Sequence, residues 1–454
     1  MKTLKNSTRL RSTKATTDMT TGDPLSLIVR FFFPVFLGNL FQQMYSMVDT
    51  IVVGKGISDS ALAAVGASGS INFFLLGFMI GLSSGMGILM SQAFGAGNIT
   101  QLRRLTAMSV LVSVVLGITV TVISLFFIED YFILMDTPID IMEDTLAYFR
   151  VILLGITITM GNNLCLNILR ALGDSKTPLQ AMILSSIINI ILDIVFIIGL
   201  HSGVAGASIA TIIAQICSII YCFRIIRKMP ELKLEKENWK IRPALIKKLF
   251  VMGLPVACMN SVTALGRMVL QYFVNQMGSV AVAAYAACNK ITGLAQQPGQ
   301  AVGLTLLTYV GQNLGAGRYD RIKQGVKRGL VLSILVNIPM TTLMIFAPKL
   351  LAGIVLSEPD TISLTLQYFP IAGICMYFLG WLFVFRSSCQ GMGQTVVPMF
   401  SGILEVIMRV GLVVLCGFLP GFYRIVTAEV AAWIAAWLML MFTYFYLIKK
   451  ESTI

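Results

Sequence analysis

The sequence predicts an all-α polytopic membrane protein of about 12 transmembrane helices, arranged as two parallel six-helix repeats about a pseudo-twofold axis along the membrane normal. Three observations predict it. Hydrophobic residues make up 56% of the 454 and charged residues only 12%, whereas about a quarter of a soluble chain is charged. Apolar runs long enough to cross about 30 Å of hydrocarbon recur along the chain. The chain also matches itself at an offset of 220 residues.

Residues 1–24 are polar and basic, with no compact apolar region or small-residue cleavage site, so a cytoplasmic tail is expected rather than a cleaved leader. An N-terminal lobe, 25–223, follows, with spans near 28–52, 61–90, 105–128, 146–169, 178–200 and 203–223. A basic linker at 224–245 reads as a solvated cytoplasmic connection. The C-terminal lobe, 246–448, holds spans near 246–274, 280–310, 329–347, 365–385, 396–418 and 425–448, and 449–454 form a second cytoplasmic tail. Membrane β-strands are excluded because they alternate over about ten residues, and these runs are longer and uniformly apolar. Pro34, Pro255, Pro298 and Pro370 fall inside apolar runs, where they free backbone carbonyls and permit bending.

Sorting the charges orients the chain, because Lys and Arg are retained on the cytoplasmic side. The two tails, Arg30 at the start of the first span and the loops near 92–104, 170–177, 224–248, 312–328 and 386–395 hold 27 Lys and Arg against 8 acids. The opposite loops, with the acidic stretch Glu129, Asp130, Asp136, Asp140, Glu143 and Asp144, hold 4 basic residues and 9 acids. A multi-pass plasma-membrane protein with both termini cytoplasmic is therefore expected. The net charge of +13 is a topology signal and a contact with anionic lipid, not a sign of a nucleic-acid partner. The eight cysteines form no CxxC pair and the chain has one histidine, His201. They read as small buried hydrophobes, and a histidine-rich metal site is excluded.

The repeat is specific. SQAFGAGN at 91–98 returns as GQNLGAGR at 311–318, and ALAAVGASGSI at 61–71 lines up with AVAAYAACNKI at 281–291. Pro34 and Asn39 correspond to Pro255 and Asn260 after a one-residue slip, and Gly173 and Pro178 to Gly393 and Pro398. Six spans return the chain to its starting side, so the repeats are parallel. A path between two such halves, opening alternately to each side, is the usual consequence; a duplicated channel or receptor scaffold is the alternative. The run GFMIGLSSGMGILMSQAFGAGN sets small residues along one face of the second span and allows close helix contact.

These pieces together resemble a known family. PVFLGNLFQQMYSMVDTIVVG in the first span, SQAFGAGN and GQNLGAGR after spans two and eight, RALGDSKTP after span four and NIILDIVFI in span five are similar to multidrug and toxic compound extrusion (MATE) transporters. The likeness runs from about Pro24 to Lys450. The resemblance implies antiport, in which inward H⁺ or Na⁺ drives export of amphiphilic, often cationic compounds, with no cofactor and no enzymatic activity. The partners it implies are a small-molecule substrate and the bilayer, with a monomer sufficient and no obligate protein partner.

Four acids lie at membrane depth: Asp49, Asp193, Glu405 and Glu429. Ionisable groups there cost several kcal/mol unless paired or wet, so each is a functional candidate. Asp49 follows Asn39, Gln42, Gln43 and Tyr45, and Gln42, Tyr45 and Asp49 share one helix face. Asn189 lies one turn before Asp193. The resemblance, on its DinF-like branch, implies a coupling-cation site at Asp49, Asn189, Asp193 and Thr211. Carboxylate, amide and hydroxyl oxygens suit a hard cation such as Na⁺, and a carboxylate removed from water also takes up a proton more readily. An interfacial cap for Asp49, a structural hydrogen bond for Asp193 and a bond from Thr211 to its own helix are the alternatives.

At the 220 offset, Val269 and Val413 stand where Asp49 and Asp193 have their counterparts, which places coupling in the N-terminal half. The NorM-like branch carries an acid in span seven, where this chain has Asn260, Arg267 and Gln271. Asn39, Gln42, Tyr45 and Asn163, with Arg267 and Lys290, are the expected substrate-cavity residues. Glu405 and Arg409, four residues apart, read as a structural ion pair. A positive C-terminal lobe facing a negative N-terminal one would admit a substrate with separated charges or an anionic group. Glu429, beside Arg424, is expected at the interface. Export or flipping of a lipid-linked or anionic substrate is the second reading. No HExxH or GxxxxGKS motif is present to support an intramembrane hydrolase or a primary pump.

Overall fold

The structure, a computed structural model, describes residues 16–135 and 137–451. The remaining tail residues and Asp136 of the expected acidic loop lie outside the described residues. Fourteen α-helices follow one another among the described residues: α1 (Pro24–Gly56), α2 (Asp59–Gly95), α3 (Ile99–Leu134), α4 (Ile139–Leu154), α5 (Ile156–Ala171), α6 (Lys176–Asp193), α7 (Gly203–Ile226), α8 (Pro243–Asn275), α9 (Ser279–Gly315), α10 (Tyr319–Phe346), α11 (Pro348–Gly353), α12 (Pro359–Gly391), α13 (Val396–Leu415) and α14 (Phe422–Glu451). Polar residues start the first three. The Asp23 carboxylate accepts from the Ser26 amide, Ser58 from Ala61 and Asn98 from Gln101, satisfying amides that have no partner within the helix.

Two expected spans take a different form. The run at 146–169 is two helices, α4 and α5, meeting at a 48° bend. The break falls at Gly155, where a Cβ would lie 2.5 Å from the Ile212 side chain of α7; a glycine permits this approach and is a weak helix former. Ten helices are long and apolar enough to cross a membrane among the described residues, and the bent pair makes an eleventh. The one expected span left over, the eighth at 280–310, is α9, 37 residues long, about 55 Å at 1.5 Å per residue. It is too polar to qualify because it carries Asn289, Lys290, Gln296, Gln297 and Gln300 through the middle of the molecule.

Each lobe has its own apolar core, with an exchange at the first helix of each. Ile28, Phe31, Phe32 and Val35 of α1 belong to the C-terminal lobe's core, and Leu249 and Ala257 of α8 to the N-terminal lobe's. The linker packs in part against the N-terminal lobe. It forms two short 3₁₀ turns, Pro230–Leu232 and Lys236–Trp239, and Arg103 of α3 donates to the Pro230 and Glu231 carbonyls at 2.8 and 3.1 Å. Met229 and Leu232 are buried in the N-terminal core.

The repeat is visible in the backbone. Gly97 and Gly317, which end the two copies of the GAG motif, have φ of 68° and 67°, and Gly173 and Gly393 have 80° and 83°, values that side-chain-bearing residues rarely adopt. The ends of α2 and α9 cross there. Gln92 donates to the Gly391 carbonyl at 3.0 Å and Gln312 to the Ala171 carbonyl at 2.9 Å. Both partners are related by the same offset, so the local twofold axis runs between these two helix ends. The incoming segment is fastened here too: Arg321 donates to the Gly22 and Met19 carbonyls, and Gln312 accepts from the Met19 amide. The lobes are thus closed on the side of the chain termini.

Candidate functional site

The residues expected to hold the coupling cation are brought together by α1, α6 and α7. α6 ends at Asp193, and the chain continues as a π-helical turn, Ile194–Gly199. Such insertions recur at functional sites. Asp193 and Asn189 are buried on one face, and Asn189 Nδ2 donates to Thr211 Oγ1 at 3.3 Å. Thr211 also donates to the Ala207 carbonyl, so its hydroxyl serves both its own helix and the cluster. The carboxyl of Asp49 faces that of Asp193 across the α1–α6 contact, closely enough for the two to interact.

Acceptor capacity is left over. Both Asp193 oxygens, Asn189 Oδ1 and Asp49 Oδ1 are buried without a hydrogen-bond partner. Among the described residues no Lys or Arg forms a salt bridge to either carboxylate. Two facing carboxylates with free oxygens need a proton or a cation to offset their charge. The donor set fits either one, since all four free atoms are hard oxygens. Tyr45 and Tyr148 stand near both acids. Tyr148, from α4, went unnoticed in the sequence because it lies in the first turns of an ordinary apolar run.

Next to this pair, between the lobes, is a polar cavity of about 360 Å³. Asn39, Gln42, Tyr45 and Asn163 line it, and Asn163 donates to the Thr159 carbonyl of its own helix at 2.9 Å. Neither Asp49 nor Asp193 is among its lining residues; the acids lie beyond Tyr45. A second cavity of about 400 Å³ lies on the C-terminal side. The two share Ile80, Ser84, Gln300 and Leu304, so α2 and α9 form the wall between them.

Arg267 lines the second cavity with its guanidinium 5.8 Å from the centre of the Phe73 ring. Lys290 is exposed on α9 and is not among the lining residues of either cavity. The Glu405–Arg409 ion pair is present, Nη2 to Oε2 at 3.2 Å, and it has a third member: Arg386 donates to the other Glu405 oxygen. Glu429 is not interfacial. It is 5% exposed, lines this cavity and accepts from the Tyr368 hydroxyl at 2.5 Å. Its neighbour Arg424 turns away to the Val413 carbonyl and the Phe273 ring.

Two arginines counted with the loops are cavity residues. Arg170 lies in the last turn of α5 and lines the first cavity, with Nη2 3.7 Å from Met182 Sδ as its hydrogen bond. Arg386 is inside α12 and lines the second. The repeat held the signal: Gly173 and Gly393 mark equivalent helix ends, which puts both arginines on the helical side of those turns.

The arrangement can bind an ion at a carboxylate pair and a larger molecule in an adjoining cavity that is closed at one end. Known proteins share the repeated family pattern and the fold. The chain matches the MatE family over residues 34–195 and again over 255–415, one match in each repeat. It is 29% identical over 340 residues to the probable multidrug resistance protein YoeA of Bacillus subtilis, covering 73% of each chain. It is 28% identical over 379 residues to the probable multidrug resistance protein YpnP of the same organism, covering 83% of this chain and 84% of that one. Its fold matches the outward-facing structure of a MATE transporter of the MOP superfamily with a TM-score of 0.91 at 21% identity, over 98% of this chain and 100% of that one. The chain is a multi-pass membrane transporter and belongs to the MATE family.

Proposed function

We propose that this transporter is a secondary antiporter that exports amphiphilic, cationic compounds from the cell in exchange for H⁺ or Na⁺ across the plasma membrane. The observation that carries the reading is the Asp49–Asp193 pair, with unpartnered oxygens on both acids, beside a polar cavity closed at the chain-terminal end. The basic balance of that end supports a cytoplasmic placement for it, and with it an outward-facing reading of this state. Binding of a cation between the two acids removes the cost of facing like charges and favours one access state; substrate binding favours the other. Exchange follows when each ligand has different affinities for the two states.

The membrane potential supplies about 2.3 kcal/mol per inward charge per 100 mV, enough for export against a gradient. The acids sit in the N-terminal half, and α8 offers Asn260, Arg267 and Gln271 in place of an acid, which supports a DinF-like rather than a NorM-like coupling site. The multidrug names of the two Bacillus subtilis relatives support the substrate class. The test is ethidium efflux from proteoliposomes under proton and sodium gradients imposed separately. One of them is expected to drive efflux; no efflux under either would remove the reading.

A further inference from the structure

We infer that the C-terminal cavity is an anion-binding subsite, built to take a carboxylate, sulfonate or phosphate group of a transported molecule. Arg386 and Arg409 are 8% and 2% exposed, and both line the cavity. Burying two guanidinium groups at membrane depth is costly, and one carboxylate offsets only one of them. Glu405 is fully engaged, one oxygen to each arginine. Arg409 Nη1, Arg409 Nε and Arg386 Nε remain buried with no partner. Arg267 adds a third guanidinium to the same cavity and has no carboxylate partner among the described ion pairs.

Three arginines therefore face two glutamates, and Glu429 already accepts a hydrogen bond from Tyr368. A purely structural ion pair for Glu405 would need only one arginine. Gly266 stands where a Cβ would come within 3.0 Å of the Val406 side chain and 3.2 Å of Arg409 Nη1, so the glycine lets α8 pack directly against that guanidinium. Guanidinium forks match the planar or tetrahedral oxygens of such anions, and the apolar neighbours Phe73, Leu379 and Trp433 suit the body of an amphiphile. A molecule with a cationic end in the polar N-terminal cavity and an anionic end here would span the shared wall at Ser84 and Gln300. The inference rests on the export reading only in treating the cavity as part of the substrate path.

The probe is carboxyfluorescein, with binding followed by fluorescence anisotropy on the full chain in phosphatidylcholine nanodiscs. No gradient is applied, so the outcome is independent of the ethidium efflux test and the two readings fail separately. Saturable binding is expected, weakened about tenfold in Arg267→Gln, the loss of one charge-assisted contact. Arg267 is exposed and makes no hydrogen bond among the described residues, so this variant tests the site without unfolding it. The triple variant Arg386→Met/Glu405→Met/Arg409→Met, which removes the two buried arginines together with the carboxylate between them, is expected to abolish binding. Repeating the titration with phosphatidylglycerol in the nanodisc distinguishes the source of the anion. Competition by that lipid identifies a headgroup, and unchanged binding identifies a soluble anion; both agree with the proposal. No saturable binding in phosphatidylcholine, or equal binding by all three proteins, would overturn it.

Discussion

Gln92 and Gln312 are partners in a reciprocal exchange: each donates its side-chain amide to the final helical carbonyls of the opposite lobe, Gly391 and Ala171. Beside them the backbones nearly touch. A Cβ on Gly95 would lie 1.9 Å from the Gln312 carbonyl oxygen, and one on Gly315 1.9 Å from that of Gln92. This contact closes the chain-terminal side, and a rocking transporter must break it in every cycle.

Gln92→Ala/Gln312→Ala removes two interlobe hydrogen bonds, each worth about 0.5–1.5 kcal/mol. Gly95→Ala puts a methyl group against backbone that cannot yield. Both are expected to shift the population towards the state open on that side. Spin-label distances between the ends of α2 and α9 should lengthen; distributions identical to wild type would show that the closure does not depend on these contacts.

Arg321 holds the segment ahead of α1 by bonds of 2.8 Å to the Gly22 carbonyl and 3.2 Å to that of Met19. Hydrogen bonds from a charged donor contribute about 1.5–3 kcal/mol. Arg321→Ala is expected to release this segment, read as faster amide exchange over residues 18–23 with little change in α14. Equal protection in both proteins would count against its role as a fastener.

Glu405 is the sole carboxylate between Arg386 and Arg409 among the described ion pairs. Glu405→Gln leaves two buried guanidinium groups without a counter-charge, a loss of about 3–5 kcal/mol. The triple methionine variant is expected to recover most of that stability. Melting in detergent compares them, and a Glu405→Gln protein as stable as wild type would contradict the pairing.

Asp174, in the loop before α6, accepts from the amides of Lys176 and Thr177, both at 3.0 Å. Burial raises its pKa above the usual carboxylate value despite those bonds. An acid with a raised folded pKa binds more protons folded than unfolded. Its contribution to stability is therefore greatest below the unfolded value, about 3.9, and is lost as pH rises through the folded one. Asp174→Asn keeps an acceptor without the charge, so its melting temperature should gain on wild type as pH rises through that window. A constant difference across the window would show that this carboxylate is not penalised by burial.

Much of this was legible in the residues because the repeat and the apolar runs are strong, redundant signals. SQAFGAGN and GQNLGAGR located the two helix ends that cross, and the left-handed glycines explain why the motif ends as it does. Asp49 and Asp193 were conspicuous for the cost of a carboxylate at that depth. Other features depended on tertiary context. The bend at Gly155 arises from close packing on Ile212, a contact far apart in sequence. Glu429 looked interfacial because Arg424 is near it in the chain, yet its partner is Tyr368, 61 residues away. Arg170 and Arg386 lie near the ends of apolar runs, where hydropathy cannot separate a loop residue from one that lines a cavity.

The central claim is that Asp49 and Asp193 couple ion movement to export. Its most direct test compares ethidium transport by wild type, Asp49→Asn and Asp193→Asn in proteoliposomes, with and without the driving ion gradient. Both variants are predicted to exchange ethidium down its own gradient yet fail to accumulate it when the ion gradient is imposed. Accumulation at the wild-type level in both variants would contradict the account.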